Sequence, residues 1–290
     1  MKYLNNLTAT LLLITVATLT VVAQQPDSTG LPGDNFSLSG ALEMFKKSES
    51  PEQFEQLINS QDNNINNLDL NGDGDIDYIK VIDKSDGDAH AFILRAAISL
   101  NEDQDIAVIE LGKEGDQEAA IQIVGDPDIY GDEVIVEPVS EKVSSAPVAA
   151  SPVYVNVWAW PAVQYVYRPS YVVYISPWGW RAHPAWYRPW RPVRWHAFHP
   201  YHAPYRHRYV VVHHHRVVRA QRVYTPVRTT SVTVRTRNQQ SVNNYRATRT
   251  TKTVAVKSRG GQTKAVKRTT KVHGKQGTVK RSTHTRQRRN

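Results

Sequence analysis

The chain has 290 residues, 40% of them hydrophobic, no cysteine and a formal net charge of +9, with a mean hydropathy of −0.50. That length admits one or two domains. The absence of cysteine excludes disulfide frameworks, thiolate metal sites, cysteine nucleophiles, iron–sulfur clusters and a lipid-modified cysteine anchor. The net charge conceals a partition. All 27 acids fall between Asp27 and Glu141, where residues 24–141 hold only six bases, a balance of −21. From Lys142 to Asn290 there are 29 bases and no acid. Such asymmetry reads as an interaction tail on a separate head.

Lys2 precedes an apolar and Thr-rich run from Leu7 to Val22, and the small residues Val21 and Ala23 precede Gln24. This order predicts a secretory signal peptide over 1–23, shorter than a spanning helix requires. The expected mature protein is extracytoplasmic (periplasm, cell surface or secreted), with no transmembrane segment left after cleavage. A short linker, 24–32, leads into an acidic head over 33–140.

Two short helices are expected first in the head. Leu38, Leu42 and Phe45 recur at helical spacing behind Ser37 or Ser39. Ser50-Pro51-Glu52-Gln53 then supplies an N-cap, a first-turn proline and a capping-box glutamine, followed by the stripe Phe54, Leu57 and Ile58. Segments rich in Ile, Val and Ala follow at 76–82, 89–100, 106–111, 119–124 and 134–136, separated by Asp/Gly/Asn turns. They predict an antiparallel meander, with Phe92, Leu94, Ala96, Ile98 and Leu100 on one face. The expected fold class is α+β: two short N-terminal helices packed on an antiparallel β-meander, then a long low-complexity, largely disordered basic tail.

Between helices and strands lies Asp69-Leu70-Asn71-Gly72-Asp73-Gly74-Asp75-Ile76-Asp77. Calcium takes six to eight hard oxygens, and a tight loop supplies them from alternate positions. Asp69, Asn71 and Asp73 hold the first, third and fifth positions, and Gly74 the sixth, where the chain must turn. The Asp75 carbonyl is the expected seventh-position ligand and Asp77 the ninth. Ile76 is the expected anchor to the core. Four carboxylates in one short loop repel each other without a cation. The loop resembles those of EF-hand and dockerin proteins, except that Lys80 stands where they place a carboxylate. The run from Asn71 to Asp77 entering a strand is closer to the calcium loops of FG-GAP and VCBS repeat proteins. These resemblances cover about 13 residues and imply a structural calcium ion, with Asp69, Asn71, Asp73, Asp75 and Asp77 as the metal residues.

No phosphate loop, nucleophile elbow or HExxH motif is present, and His90 is the only histidine of the head. The expected protein is therefore not an enzyme.

A second linker, 141–152, opens the tail. Residues 153–209 hold all seven tryptophans, and nine prolines fall between Pro152 and Pro204. This is low-complexity sequence in which 153–157 and 171–175 are candidates for isolated short strands. Residues 210–290 are Arg-, Thr-, Lys- and Val-rich and are expected to be disordered. Arginine beside Tyr and Trp suits anionic polymers or a membrane surface. Association of the acidic head with the basic tail is the competing use of the same charges. Nothing predicts sequence-specific nucleic-acid recognition. Ten of eleven histidines lie in the tail, including His213-His214-His215, with no carboxylate adjacent in sequence.

Taken with the signal peptide, the stretch from Leu31 to Leu38, the 69–80 loop and the Trp/Tyr/Arg/Pro tail, the whole resembles a family of uncharacterised secreted proteins of Bacteroidota. That resemblance implies an envelope or secreted setting and carries no activity. The expected function is non-enzymatic: a calcium-stabilised head with a cationic aromatic tail that binds anionic envelope or extracellular polymers. A metal-free protein-interaction or self-assembling matrix protein is the alternative.

Overall fold

The structure, a computed structural model, describes residues 28–139, 155–257, 263–274 and 277–286, the last stretches from 248 as backbone alone. The expected signal peptide lies outside the described residues.

Local signals shape the N-terminal third. Ser37 caps α1 (Leu38–Lys47) by accepting the Gly40 N–H at 3.1 Å. Ser50 caps α2 (Pro51–Ile58) by accepting the Gln53 N–H at 3.2 Å. The Gln53 side chain reaches one residue beyond the usual capping-box partner and accepts the Glu49 N–H at 2.6 Å. Leu42, Phe45, Phe54 and Ile58 are fully buried, and Phe45 meets Phe54 edge-on with ring centroids 5.2 Å apart.

The expected meander follows as β1 (Ile79–Asp86), β2 (Ala89–Ala97), β3 (Asp103–Gly115), β4 (Glu118–Gly125) and β5 (Val134–Pro138), each antiparallel to the next. α3 (Pro127–Tyr130), capped by Asp126, joins β4 to β5. One expected face member is misplaced. Ile98 and Ser99 both donate to the Glu102 carbonyl, so the chain turns there, and Leu100 projects into solvent at 62% exposure. The period-two reading carried the strand three residues into a turn that contains no Gly or Pro.

One sheet face, with Val81, Phe92, Leu94, Ile109, Ile121 and Ile123, packs into the same core as α1 and α2. The other face carries Ala91, Ile93, Val108, Val124 and Ile135. An antiparallel sheet covered by helices is the α+β architecture, and helices beyond the first two extend it.

Composition changes at residue 141, but the core does not stop there. The expectation of isolated strands and no single packed fold over 153–209 meets a different arrangement. α4 (Pro161–Val166) lies against α1, and Val157, Trp160, Val163 and Val166 join the main core. α5 (Trp195–Phe198) buries Phe198. β6 (Tyr209–Val212) pairs with β5 from Pro138↔Tyr209 to Ile135↔Val212 and becomes the sixth strand. At the opposite edge, Asp83 N–H donates to the Tyr174 carbonyl at 2.7 Å and Ser176 N–H to the Val81 carbonyl at 3.0 Å. Tail segments thus pair with both edges of the head's sheet, β6 along β5 and residues 174–176 at the middle of β1, and themselves become its outer edges. Within the basic stretch, α6 (Val218–Tyr224) lies against β1, β2 and β3 on the second face, and Val234 of α7 (Val232–Thr248) reaches the main core. Beyond it β7 (Arg249–Lys257), β8 (Thr263–Gly274) and β9 (Gly277–Arg286) form a separate antiparallel meander. The other residues expected to be disordered, 258–262, 275–276 and 287–290, lie outside the described residues.

The physical reason for the packing is buried charge. Asp105, Glu110, Asp126, Glu137 and Glu43 are each at most 3% exposed. Asp105 takes its charged partner, Arg95, from β2, and Lys47 of α1 lies 4.0 Å from Glu43; the nearer partner of Glu43 and the charged partners of the other three come from the tail. Arg216 bridges both oxygens of Glu137 at 2.6 and 2.7 Å. Arg228 does the same to Asp126 at 2.6 and 2.8 Å. Arg208 and the Tyr209 hydroxyl, each at 2.9 Å, hold Glu43. Asp105 receives Arg95, the Thr229 N–H and the Tyr224 hydroxyl. Removing one partner of such a pair leaves a buried charge uncompensated, at a cost of about 3–5 kcal/mol. Arg216→Ala is accordingly expected to destabilise the mature chain by about 3 kcal/mol in urea denaturation, whereas the exposed Arg222→Ala stays within about 0.5 kcal/mol. Equal effects for the two variants would contradict this account.

Candidate functional site

The 69–77 loop sits between α2 and β1, and the side chains of Asp69, Asn71, Asp73 and Asp77 are engaged within it. Asp69 accepts the N–H groups of Gly72 at 2.6 Å and Gly74 at 3.1 Å. Asn71 accepts from Asp73 N–H at 2.8 Å, and Asp73 accepts from Asp75 N–H at 2.9 Å and from the Asn71 amide at 2.9 Å. Asp77 accepts the Leu70 N–H at 2.5 Å. Gly72 and Gly74 adopt φ values of +74° and +91°, which side-chain-bearing residues rarely do. Asp73 and Asp75 are exposed, Asp69 and Asn71 half-buried and Asp77 buried.

The loop is clamped from below. Ile76 is buried, as expected of an anchor, and its N–H donates to the Trp190 carbonyl at 2.9 Å while its own carbonyl accepts the Tyr187 hydroxyl at 2.7 Å. Asp77 N–H donates to the Leu68 carbonyl, and the Asn66 amide donates to the Asp77 carbonyl. Arg237 of α7 donates to the Leu70 carbonyl at 2.9 Å. Lys80, at the twelfth position, pairs with Asp103 at 2.8 Å and has no part in the loop.

Among the described residues, no three or more His, Asp or Glu side chains gather in a metal-holding arrangement. The donor set nonetheless suits a hard cation. Burial pushes the Asp77 carboxyl up to about 7, and the charges of Asp69 and Asp73 add to that rise, against the Leu70 N–H that lowers it. A divalent ion at the loop removes that repulsion.

The histidines divide by role. Burial fits His90 into a network: its Nδ1 lies 2.9 Å from Asp83, whose carboxylate also accepts the Tyr171 hydroxyl at 2.7 Å. His199 stacks on Trp195 at 4.5 Å, and His202 packs edge-on against Phe198 at 4.5 Å. His202 is held down at about 4 by burial. His215 lacks a carboxylate neighbour in sequence, but the fold supplies two: its Nδ1 is 2.9 Å from Glu110 and its Nε2 is 3.3 Å from Glu133. Burial lowers its affinity for a proton, and the two glutamates outweigh that and hold it above the usual value.

The sequence offered association of the basic tail with the acidic head as one use of its charges, but not which tail cation meets which head acid. One signal existed. Glu110, Gln122 and Glu137 sit within strands beside apolar residues, and a buried carboxylate or amide requires a hydrogen-bonding partner. No family model, curated protein or solved structure matches the chain. Among the described residues no helix is long and apolar enough to cross a membrane.

The buried carboxyls of the sheet and His215 shift upward, whereas His202 shifts downward and its contribution runs the other way with pH. Burial raises Asp105 and Asp126, and raises Glu110 to about 7. A raised carboxyl binds more protons folded than unfolded, so each contribution declines as pH climbs from the ordinary carboxyl range toward its folded value. His215, also raised, stabilises below its unfolded value and loses that contribution above its folded one. In urea melts of the mature chain between pH 5 and pH 8, Glu110→Gln should therefore remove one decline of stability with pH, so that the slope of stability against pH is more positive than the parent's. A slope unchanged in that variant would contradict the assignment.

Proposed function

We propose that the chain is a non-enzymatic extracytoplasmic protein that presents a cationic C-terminal segment to anionic envelope or extracellular polymers, with calcium bound at the 69–77 loop. The carrying observation is how the tail's charge is divided. Residues 28–247 hold 26 acids and 21 bases, a net −5, whereas residues 248–290 hold 14 bases and no acid. The tail's first 14 arginines belong to the folded unit, several as direct partners of its buried acids. The last 14 bases have no acid near them in sequence. In the β7–β9 meander, register places Lys271 opposite Lys280. Like charges directly opposite destabilise a sheet, and a polyanion lying along it relieves that repulsion.

Calcium supports the same reading through the loop that precedes β1. The residues holding it would be Asp69, Asn71, Asp73, Asp75 and Asp77, and the ion supplies charge neutralisation and rigidity rather than chemistry. The second reading, self-assembly, draws on exposed apolar residues at both sheet edges: Val172 is 81% exposed, and Ile175 and Val211 each 56%. Such edges pair with other chains unless covered.

Two measurements test the proposal. The mature chain is expected to elute from heparin–agarose at high salt, and a chain ending at residue 247 to elute near the void. Retention of the truncated chain would reject the C-terminal assignment, and sedimentation of the same samples reads out self-assembly. In thermal melts, calcium at ten times its dissociation constant should stabilise the mature chain by about 1.4 kcal/mol, an effect lost in Asp73→Ala. No shift in the parent chain would reject the calcium half.

A further inference from the structure

A cleft of about 320 Å³ lies between the start of α2 and residues 174–186 of the tail. Its aromatic lining is Tyr78 from β1's approach and Tyr174, Trp178 and Trp186 from the tail. Its other wall is Glu49 and Glu52, both exposed, together with Gln53. Neither lysine nor arginine lines it. We propose that this cleft binds an alkylammonium group, its charge set against the aromatic faces and its counter-charge supplied by Glu49 and Glu52.

Three features point to a cation rather than to any apolar ligand. Ring faces attract cations electrostatically, and aromatic walls with nearby carboxylates are the usual receptor for substituted ammonium groups. The same chain uses that attraction within its own fold: Lys113 lies 5.5 Å from the Trp158 ring, Lys46 6.0 Å from Trp160 and Arg168 3.6 Å from Tyr165. Those three rings lie outside the cleft, and among the described residues no side-chain cation lies over the cleft's own rings.

The walls are also pre-positioned. Glu55 sits at the back of the cleft, 1% exposed, and accepts the Tyr78 hydroxyl at 2.6 Å, the Ser176 hydroxyl at 2.9 Å and the Val81 N–H at 2.7 Å. It thereby ties β1 to the tail segment that carries Tyr174 and Trp178. Tyr78 packs edge-on against Tyr187 at 4.9 Å and tilts against Trp186 at 6.3 Å. Trp186 still leaves 44% of its surface to solvent, an exposure that its neighbours' packing does not require. Glu52 projects from the exposed side of α2, so its charge is available to a ligand.

The test uses the full mature chain and three probes in calorimetric titration: choline, its uncharged isostere 3,3-dimethylbutan-1-ol, and acetyl-lysine methylamide. Choline or the lysine derivative should saturate one site, and the uncharged alcohol should bind at least about tenfold more weakly. Tighter choline binding assigns the site to a free quaternary ammonium, and tighter lysine binding to a protein side chain. Trp186→Ala and Glu52→Gln should each weaken the binding about tenfold, with urea melts unchanged in Glu52→Gln because that side chain is exposed. Equal affinity for choline and the alcohol would overturn the proposal in favour of a merely apolar cleft. Binding of neither cation would overturn it as well.

Discussion

The structure depends on carboxylates buried in a sheet that cannot neutralise them itself. Asp126 and Glu137 lie at the ends of the meander, and their compensating guanidiniums arrive from positions 228 and 216. A carboxylate moved into the interior without a partner costs several kcal/mol, about what the burial of two or three aliphatic side chains returns. The head is therefore not a separable module in the ordinary sense. Its α1, α2 and first five strands have a core, but that core is finished by Trp160, Val163, Tyr209 and Val234 from the other half of the chain.

This constraint also orders the polar architecture. Each tail segment that crosses the sheet brings a cation, a hydroxyl or a backbone donor to a carboxylate waiting there: Tyr171 to Asp83, Ser176 to Glu55, Arg208 to Glu43, and Arg216 to Glu137. The same crossings deliver backbone groups to both open sheet edges. Charge and hydrogen bonding thus select one docking arrangement for a sequence whose composition suggests none.

What was legible in the residues was local. Ser37 and Ser50 announced two helices because a cap acts within three residues, and the five meander strands followed from alternation and Asp/Gly turns. The loop residues from Asp69 to Asp77 could be picked out by spacing alone, and Ile76 turned inward as that spacing required. The clamp on the loop was not legible. Tyr187, Trp190 and Arg237 act across more than 110 residues, and nothing in the identity of a single arginine among valines and threonines names its partner. The tail's prolines and tryptophans suggested irregular chain. They do form irregular chain, but irregular chain pinned by rings and hydroxyls to a regular sheet.

The pairing of Pro138 with Tyr209 has a consequence for how the molecule is made. Synthesis runs from the amino terminus, so the five-stranded meander exists for some time before its sixth strand has emerged. During that interval the β5 edge is open and the interior acids lack their guanidiniums. Closing a connection of that length costs little equilibrium free energy but delays the contact, because distant pairings form late. The carboxyl-terminal half therefore acts as a donor strand in cis, the same service that a separate chain performs in strand-complemented assemblies. Until it arrives, the protein is a partner awaiting itself.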